Sequence, residues 1–360
     1  MKKFILLIMI NICLFASFSV DKYDKQEKIL KSIDVDVKYL QDQSFMEIFY
    51  DMSEREVLYF TKVLNEANMN IPIIKAILKK EGVPDVFLYL AMVESNFKTD
   101  ARSGVKATGV WQFMEPTAKN FGLRIDKFVD ERKDVVAASV AAAKYLHKLK
   151  DEFGKWYLAI FAYNCGNGCV RKAIRNAGTD ELNTLLDEEQ KYLPKETRRF
   201  FKKILSTSLI AENDIAKYGD IYLLNQVMAL NIGKVEIKPN ESLQLVANKA
   251  KMSLSELKEL NPQFKGNYAP PYPYYAYLPI EKIASYKDNK SSIKYAKNNI
   301  KNVISYRVKQ GDTLYAIAKK NNVSTSTLKA YNNLKDDRIG INQNLLIPIL
   351  DFDNSKEAKN

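Results

Sequence analysis

The chain has 360 residues, 46% of them hydrophobic, and its 55 basic against 43 acidic side chains give a net charge of +12. This length suits two or three domains, each large enough for a core. A single histidine leaves no room for a zinc site built from several histidines. Lys and Arg are scattered rather than gathered into an arm, and no nucleic-acid motif occurs. The basic excess is therefore read as attraction to polyanions other than nucleic acid.

Met1-Lys2-Lys3, an apolar run from Phe4 to Phe15 broken only by Asn11, and the small residues around Ala16-Ser17-Phe18-Ser19 predict a signal peptide over 1–19. The expected address is the periplasm or cell envelope. A lipobox wants a small residue before its cysteine, and Ile12 stands there, so Cys13 is read as part of the removed peptide. A lipid anchor or an uncleaved N-terminal anchor is the alternative, and either would associate the chain with a membrane. Residues 20–75 read as a helical extension, because Tyr39, Leu40, Phe45, Ile48, Phe49, Val57 and Leu58 fall mostly at three- and four-residue spacings.

A domain over 76–212 follows. Pro84 and Asp85 open a helix in which Val86 to Val93 is apolar apart from the Tyr89 hydroxyl, and a helix apolar on every side is a buried one. Glu94 closes this run. Desolvation there raises a carboxyl pKa, which suits a general acid working near neutral pH. A lone Glu after such a run is more often a cap or the partner of a neighbour such as Arg102. The residues that follow reverse that preference: Ser103-Gly104 and Gly109-Val110-Trp111-Gln112-Phe113-Met114 supply a tight turn, a close backbone approach, and Gln112 beside an aromatic ring and a thioether. Sugars need such a mixed wall, hydrogen bonds for their hydroxyls and apolar surface for their faces.

Past Pro116, the alanine-rich run Asp134 to Leu149 predicts a helix carrying His147, read as structural or solvated. Trp156 to Tyr163 predicts a core helix delivering Tyr163 and Asn164 to a glycine-rich loop. Cys165 and Cys169 flank that loop. On a regular helix their spacing exceeds the Cβ separation of a disulfide, so they are read as two small buried hydrophobes; a bridge, the alternative, needs a glycine-bent loop. Glu196 opens a helix running to about Ile210, where the helix dipole alone would favour a carboxylate.

Four stretches in this order resemble one family: Glu94-Ser95, then Ser103-Gly104 with Gly109 to Met114, then Ala162-Tyr163-Asn164-Cys165-Gly166, then Glu196-Thr197-Arg198. They resemble the lytic transglycosylases with a lysozyme-like SLT domain, which commonly have a small residue where Cys165 stands. The resemblance implies a mainly α catalytic domain, with Glu94 as the one catalytic acid and base and with Ser103, Gln112, Met114, Tyr163, Asn164 and Glu196 holding the glycan strand of peptidoglycan. It implies cleavage between N-acetylmuramic acid and N-acetylglucosamine with a 1,6-anhydro product, and no metal or cofactor. A monomer is expected. The alternatives are a hydrolytic lysozyme on the same fold and a non-catalytic wall-binding scaffold.

After a connector over 213–234, a pattern is written twice. Leu243, Ala247, Ser253, Leu257 and Asn261 precede Leu314, Ala318, Ser324, Leu328 and Asn332 by a constant 71 residues. The later copy, 304–350, reads as strand, two helices and strand, and resembles a LysM domain. That resemblance implies glycan binding by Gly311, Asp312, Thr313, Asn342 and Gln343, with Asn342 in place of an expected glycine. The earlier copy, 235–281, has Asn240-Glu241-Ser242 for the Gly-Asp-Thr loop and is read as degenerate. Its segment Tyr268 to Tyr275 is proline-rich; a packed loop is preferred there to a sugar-stacking one. Residues 282–303 form a lysine-rich linker and 351–360 a polar tail. The fold class is thus multidomain, a lysozyme-like α domain followed by two α+β modules of βααβ type.

Overall fold

The computed structural model describes residues 24–41, 70–214, 232–287 and most of 300–350, together with positions 43, 59, 62 and 63. The signal-peptide reading, Cys13, the pattern from Phe45 to Leu58 and the polar tail lie outside these residues. Contacts divide the chain into two compact units, one of 1–67, 74–122 and 136–219, the other of 68–73, 123–135 and 220–360.

Among the described residues the helices include α1 (Asn70–Lys80), α2 (Val86–Ser95), α3 (Glu115–Asn120), α4 (Val135–Phe153), α5 (Trp156–Cys165), α6 (Asn167–Ala177), α7 (Leu182–Leu186) and α8 (Lys195–Asp214). In the first unit α2 is the central element. Val86 to Met92 are all buried, as the all-apolar sequence requires. Helix α8 packs against α2 and α5, and the Phe161 and Phe201 rings meet at 5.1 Å. Asp85 stands at the N-cap of α2 without a side-chain cap bond. At the other end Asn96 (φ 53°) and Phe97 (φ 61°) both turn left-handed and stop the helix. Phe97 is buried, so core packing holds a conformation that a bulky side chain disfavours.

Residues 24–41 dock onto the start of α5. The Tyr157 amide donates to the Ile33 carbonyl at 3.2 Å, and the Asp34 carboxylate accepts from the Trp156 amide at 2.7 Å. His147 has a structural place: its Nε2 lies 2.7 Å from the Glu81 carbonyl and its ring meets Trp156 edge-on.

Arg198 is almost wholly buried, bonded to the Leu193 carbonyl and, at 2.6 Å, to Glu188. That hydrogen bond, with a second from Lys202, holds the Glu188 carboxyl down at about 2. The expectation of two unbridged cysteines is overturned, since Cys165 and Cys169 form a disulfide. Helix α5 ends at Cys165, Gly166 (φ 83°, ψ 157°) breaks the chain, and α6 starts afresh, which leaves the two Cα atoms 5.8 Å apart.

The second unit holds two two-stranded antiparallel sheets. In the first, β1 (Ile232–Ile237) pairs with β2 (Tyr274–Pro279) in the register Val235 to Ala276, and α9 (Leu243–Lys249), α10 (Leu254–Leu260) and α11 (Ile280–Lys287) accompany it. Ser253 and Glu256 form the capping box that starts α10. Val235, Leu243, Val246, Ala247, Leu257 and Ala276 make the core, and Val129 joins it from the 123–135 segment. In the second, β3 (Ile300–Arg307) pairs with β4 (Asn344–Leu350), and α12 (Leu314–Lys320) is capped by Thr313, whose hydroxyl accepts from the Ala316 amide. Ser324, expected to cap a further helix, lies outside the described residues.

Removing the short loop closure should be felt without unfolding the domain. A Cys165→Ala/Cys169→Ala double variant is expected to lose about 2 kcal/mol of stability, read as a lower denaturation midpoint in the oxidised protein.

Candidate active site

Glu94 occupies the last full turn of α2, half-buried, with the helix core on one side. Burial pushes its carboxyl up to about 7, and the charge of Glu196 adds to the rise. Glu196 itself is exposed in the first turn of α8, where orphan amides favour a carboxylate. The packing of α8 against α2 brings Glu196 into electrostatic range of Glu94.

Tyr163 and Asn164 come from the end of α5. The Tyr163 hydroxyl donates to the Trp111 carbonyl at 2.7 Å, which ties α5 to the loop after α2. Its phenol is held neutral far above the usual range, first by burial and then by the Glu94 charge. The rings of Tyr163, Phe113 and Tyr145 form a triangle, Tyr163 to Phe113 at 6.5 Å, Tyr163 to Tyr145 at 5.3 Å and Phe113 to Tyr145 at 6.3 Å. The Thr197 hydroxyl donates to the Asn164 Oδ1 at 2.7 Å, so the amide nitrogen of Asn164 is the group left to donate elsewhere.

Ser103, Gln112 and Met114 sit on the loop between α2 and α3. Ser95 anchors that loop by donating to the Val110 carbonyl at 2.7 Å, and the Trp111 indole donates to Ser139 at 2.9 Å. Bridges between Arg102 and Thr108 and between Thr108 and Phe113 fold the loop on itself. Ser103 accepts from the Ala107 amide at 3.0 Å. Gln112 takes a left-handed backbone (φ 46°), and its side-chain nitrogen donates to the carbonyls of Gly109 at 2.8 Å and Ala101 at 3.2 Å. Its two donors are therefore engaged in the loop, and its amide oxygen is what it can offer a ligand. Met114 is 42% exposed at the start of α3.

The structure thus gathers Glu94, Tyr163, Asn164 and Glu196 around the junction of α2, α5 and α8, with Ser103, Gln112 and Met114 on the adjoining loop. Ser95 and Thr197 were missed as positioning groups. The signal was their hydroxyls immediately after Glu94 and Glu196, but only the fold shows what they bind. Among the described residues no cluster of His, Cys, Asp and Glu could hold a metal ion, and no helix is long and apolar enough to cross a membrane.

In the second unit, Gly311 (φ 86°) turns the chain and Asp312 accepts from the Lys309 amide at 2.7 Å and the Tyr306 hydroxyl at 2.8 Å. Asn342 adopts φ 67°, the left-handed turn in which Asn replaces Gly at small cost. Its amide donates to the Val308 carbonyl at 2.8 Å, and the Gln343 side chain accepts from the Gly340 amide at 2.8 Å.

Residues 71–186 match the Transglycosylase SLT domain, residues 306–348 the LysM domain, and residues 231–295 the LysM-like domain of lytic transglycosylase MltD. Over 320 residues the chain is 30% identical to membrane-bound lytic murein transglycosylase D of Escherichia coli strain K12, covering 86% of this chain and 67% of that protein. It is 27% identical over 171 residues to membrane-bound lytic murein transglycosylase F of Shewanella halifaxensis, covering 43% of this chain and 35% of that one. A solved structure of an inactive mutant of lytic transglycosylase Slt from Pseudomonas aeruginosa matches 39% of this chain and 23% of its own at 27% identity, with a TM-score of 0.32. With an SLT span followed by LysM spans, and with 30% identity across two thirds of a curated relative, the chain belongs to the family of membrane-bound lytic murein transglycosylase D.

Proposed function

We propose that Glu94 is both proton donor and proton acceptor in this peptidoglycan lytic transglycosylase. The observation that carries the reading is a half-buried carboxyl at the end of a helix whose Val86 to Met92 are all buried, raised to about 7, so that both protonation states are populated near neutral pH. The substrate is the β-1,4 bond between N-acetylmuramic acid and N-acetylglucosamine. Glu94 gives its proton to the glycosidic oxygen as the bond to C1 breaks, and the 2-acetamido group of the substrate stabilises the positive charge at C1. The resulting carboxylate takes the proton of the muramoyl C6 hydroxyl while that oxygen bonds to C1. The proton returns to Glu94, no water is consumed, and a 1,6-anhydromuramoyl end forms.

Asn164, with its amide orientation set by Thr197, and the neutral Tyr163 hold the acetamido group, while Ser103, Gln112 and Met114 line the wall for the neighbouring sugar. Glu196 acts through its field, keeping Glu94 protonated. A hydrolase would use a second carboxylate to activate water. Since Glu196 is within electrostatic reach, product mass is the deciding measurement: anhydro ends are lighter than hydrolysed ends by one water.

The module over 304–350 binds glycan through Gly311, Asp312, Thr313, Asn342 and Gln343, and the 235–281 copy is degenerate. Tethering keeps the catalyst near an insoluble polymer and raises the local substrate concentration. The signal-like N-terminus and the membrane-bound relatives support a place in the cell envelope.

Glu94→Gln is expected to lower cleavage of purified peptidoglycan about a hundred- to ten-thousand-fold, with wild-type products carrying the anhydro mass. Activity should fall as pH rises through about 7, because the donor is then lost. Glu196→Gln removes one cause of the raised pKa and should move this alkaline limb to lower pH. Stability has a matching sign. The folded pKa lies above the unfolded one, so the charged form is disfavoured on folding and stability falls as pH rises through the folded value. Glu94→Gln should therefore raise the melting temperature at pH 8 and leave it nearly unchanged at pH 4.

A further inference from the structure

The two C-terminal modules share a pattern, but their first loops meet different surroundings. In the later one, the Gly311-Asp312-Thr313 turn is held by bonds from Lys309 and Tyr306 of its own strand and turn. In the earlier one, the equivalent Asn240-Glu241-Ser242 is hydrogen-bonded to residues 267–270. The Asn240 amide donates to the Pro270 carbonyl at 2.9 Å, the Ala269 amide to the Glu241 carbonyl at 2.8 Å, and the Leu243 amide to the Asn267 carbonyl at 2.8 Å. Ser242 and Tyr268 form an antiparallel bridge. Glu241, the counterpart of Asp312, is buried and held by Lys249 at 2.6 Å and by the Lys238 amide at 3.0 Å. These loop amides and carbonyls are thus engaged within the chain itself.

Residues 263–265 and 272–275 of the same module meet residues from far upstream. Phe264 bridges Val129, the Asp130 amide donates to the Gln263 carbonyl at 2.9 Å, and the Lys265 amide donates to the Phe128 carbonyl at 2.9 Å. The Tyr274 hydroxyl donates to Glu131 at 2.8 Å, Tyr275 to Asp134 at 2.7 Å, and Tyr272 to Asp126. The Arg124 guanidinium lies 4.3 Å from the centre of the Tyr272 ring. Glu131 and Asp134 are 8% and 1% exposed, so these carboxylates depend on their donors. The chemistry is a buried acid set met by a tyrosine set, with a backbone bridge fixing the register.

We propose that the module over 232–287 is an intramolecular clamp whose partner is the 123–135 segment, and that it binds this segment and not glycan. By chain order the segment joins α3 to α4, so what the clamp fixes is a connection between two helices of the matched SLT span.

Hydrogen–deuterium exchange on the full chain tests this with and without chitopentaose. Peptides covering 238–243 and 266–272 should exchange identically in both conditions, while those covering 308–316 and 340–344 slow with sugar. Peptides covering 124–135 should be protected throughout, and in Tyr274→Phe/Tyr275→Phe they should exchange at least about tenfold faster. Sugar-dependent protection at 238–243 and 266–272, or open-loop exchange at 124–135 in the wild type, would overturn the clamp. Failure of the wall-binding assignment looks different. It leaves 308–316 unresponsive to sugar, while the 124–135 readout, which needs no sugar, still decides the clamp.

Discussion

Everything in the catalytic unit depends on keeping one carboxyl out of water. Glu94 ends a helix with no solvent face, and a charge there loses hydration that the surrounding apolar side chains cannot replace. The fold reinforces this by setting the N-terminus of α8, with Glu196, within electrostatic reach. Burial and a like charge act in the same direction, toward a neutral acid at neutral pH. In the proposed mechanism catalysis and stability are opposed at this residue, because the environment that suits Glu94 to donate a proton also penalises its ionised form in the native state.

The groups around that carboxyl are positioned by bonds that fix one partner so that another is presented. Thr197 occupies the oxygen of Asn164, the Trp111 carbonyl accepts from the Tyr163 hydroxyl, and Ser95 holds the loop that carries Gln112. Thr197 links α8 to α5, Tyr163 links α5 to the loop after α2, and Ser95 links the end of α2 to that same loop. Buried Arg198, bonded to Glu188 and the Leu193 carbonyl, stiffens the start of α8 from behind.

Much of this was legible in the sequence, for identifiable reasons. The unbroken apolar run before Glu94 fixed both its helix and its burial, and the two copies of the Leu-Ala-Ser-Leu-Asn pattern marked the modules. The capping box at Ser253 and Glu256 is local and was readable directly. What escaped depends on tertiary packing. Phe97 in a left-handed conformation contradicts its local preference, and the approach of Glu196 to Glu94 spans about a hundred residues of chain. Cys165 and Cys169 were judged on a regular helix, but the break at Gly166 separates two helices and lets the sulfurs meet. Both side-chain donors of Gln112 turn inward to the Ala101 and Gly109 carbonyls, which residue type alone does not reveal.

The central claim concerns the protonation of one side chain, and it can be measured without substrate. Carboxyl-carbon NMR of selectively labelled protein, with Glu94 assigned by its loss in Glu94→Gln, gives the titration directly. The account predicts a midpoint near 7 that moves down in Glu196→Gln. A midpoint at the ordinary glutamate value, unmoved by Glu196→Gln, would contradict it.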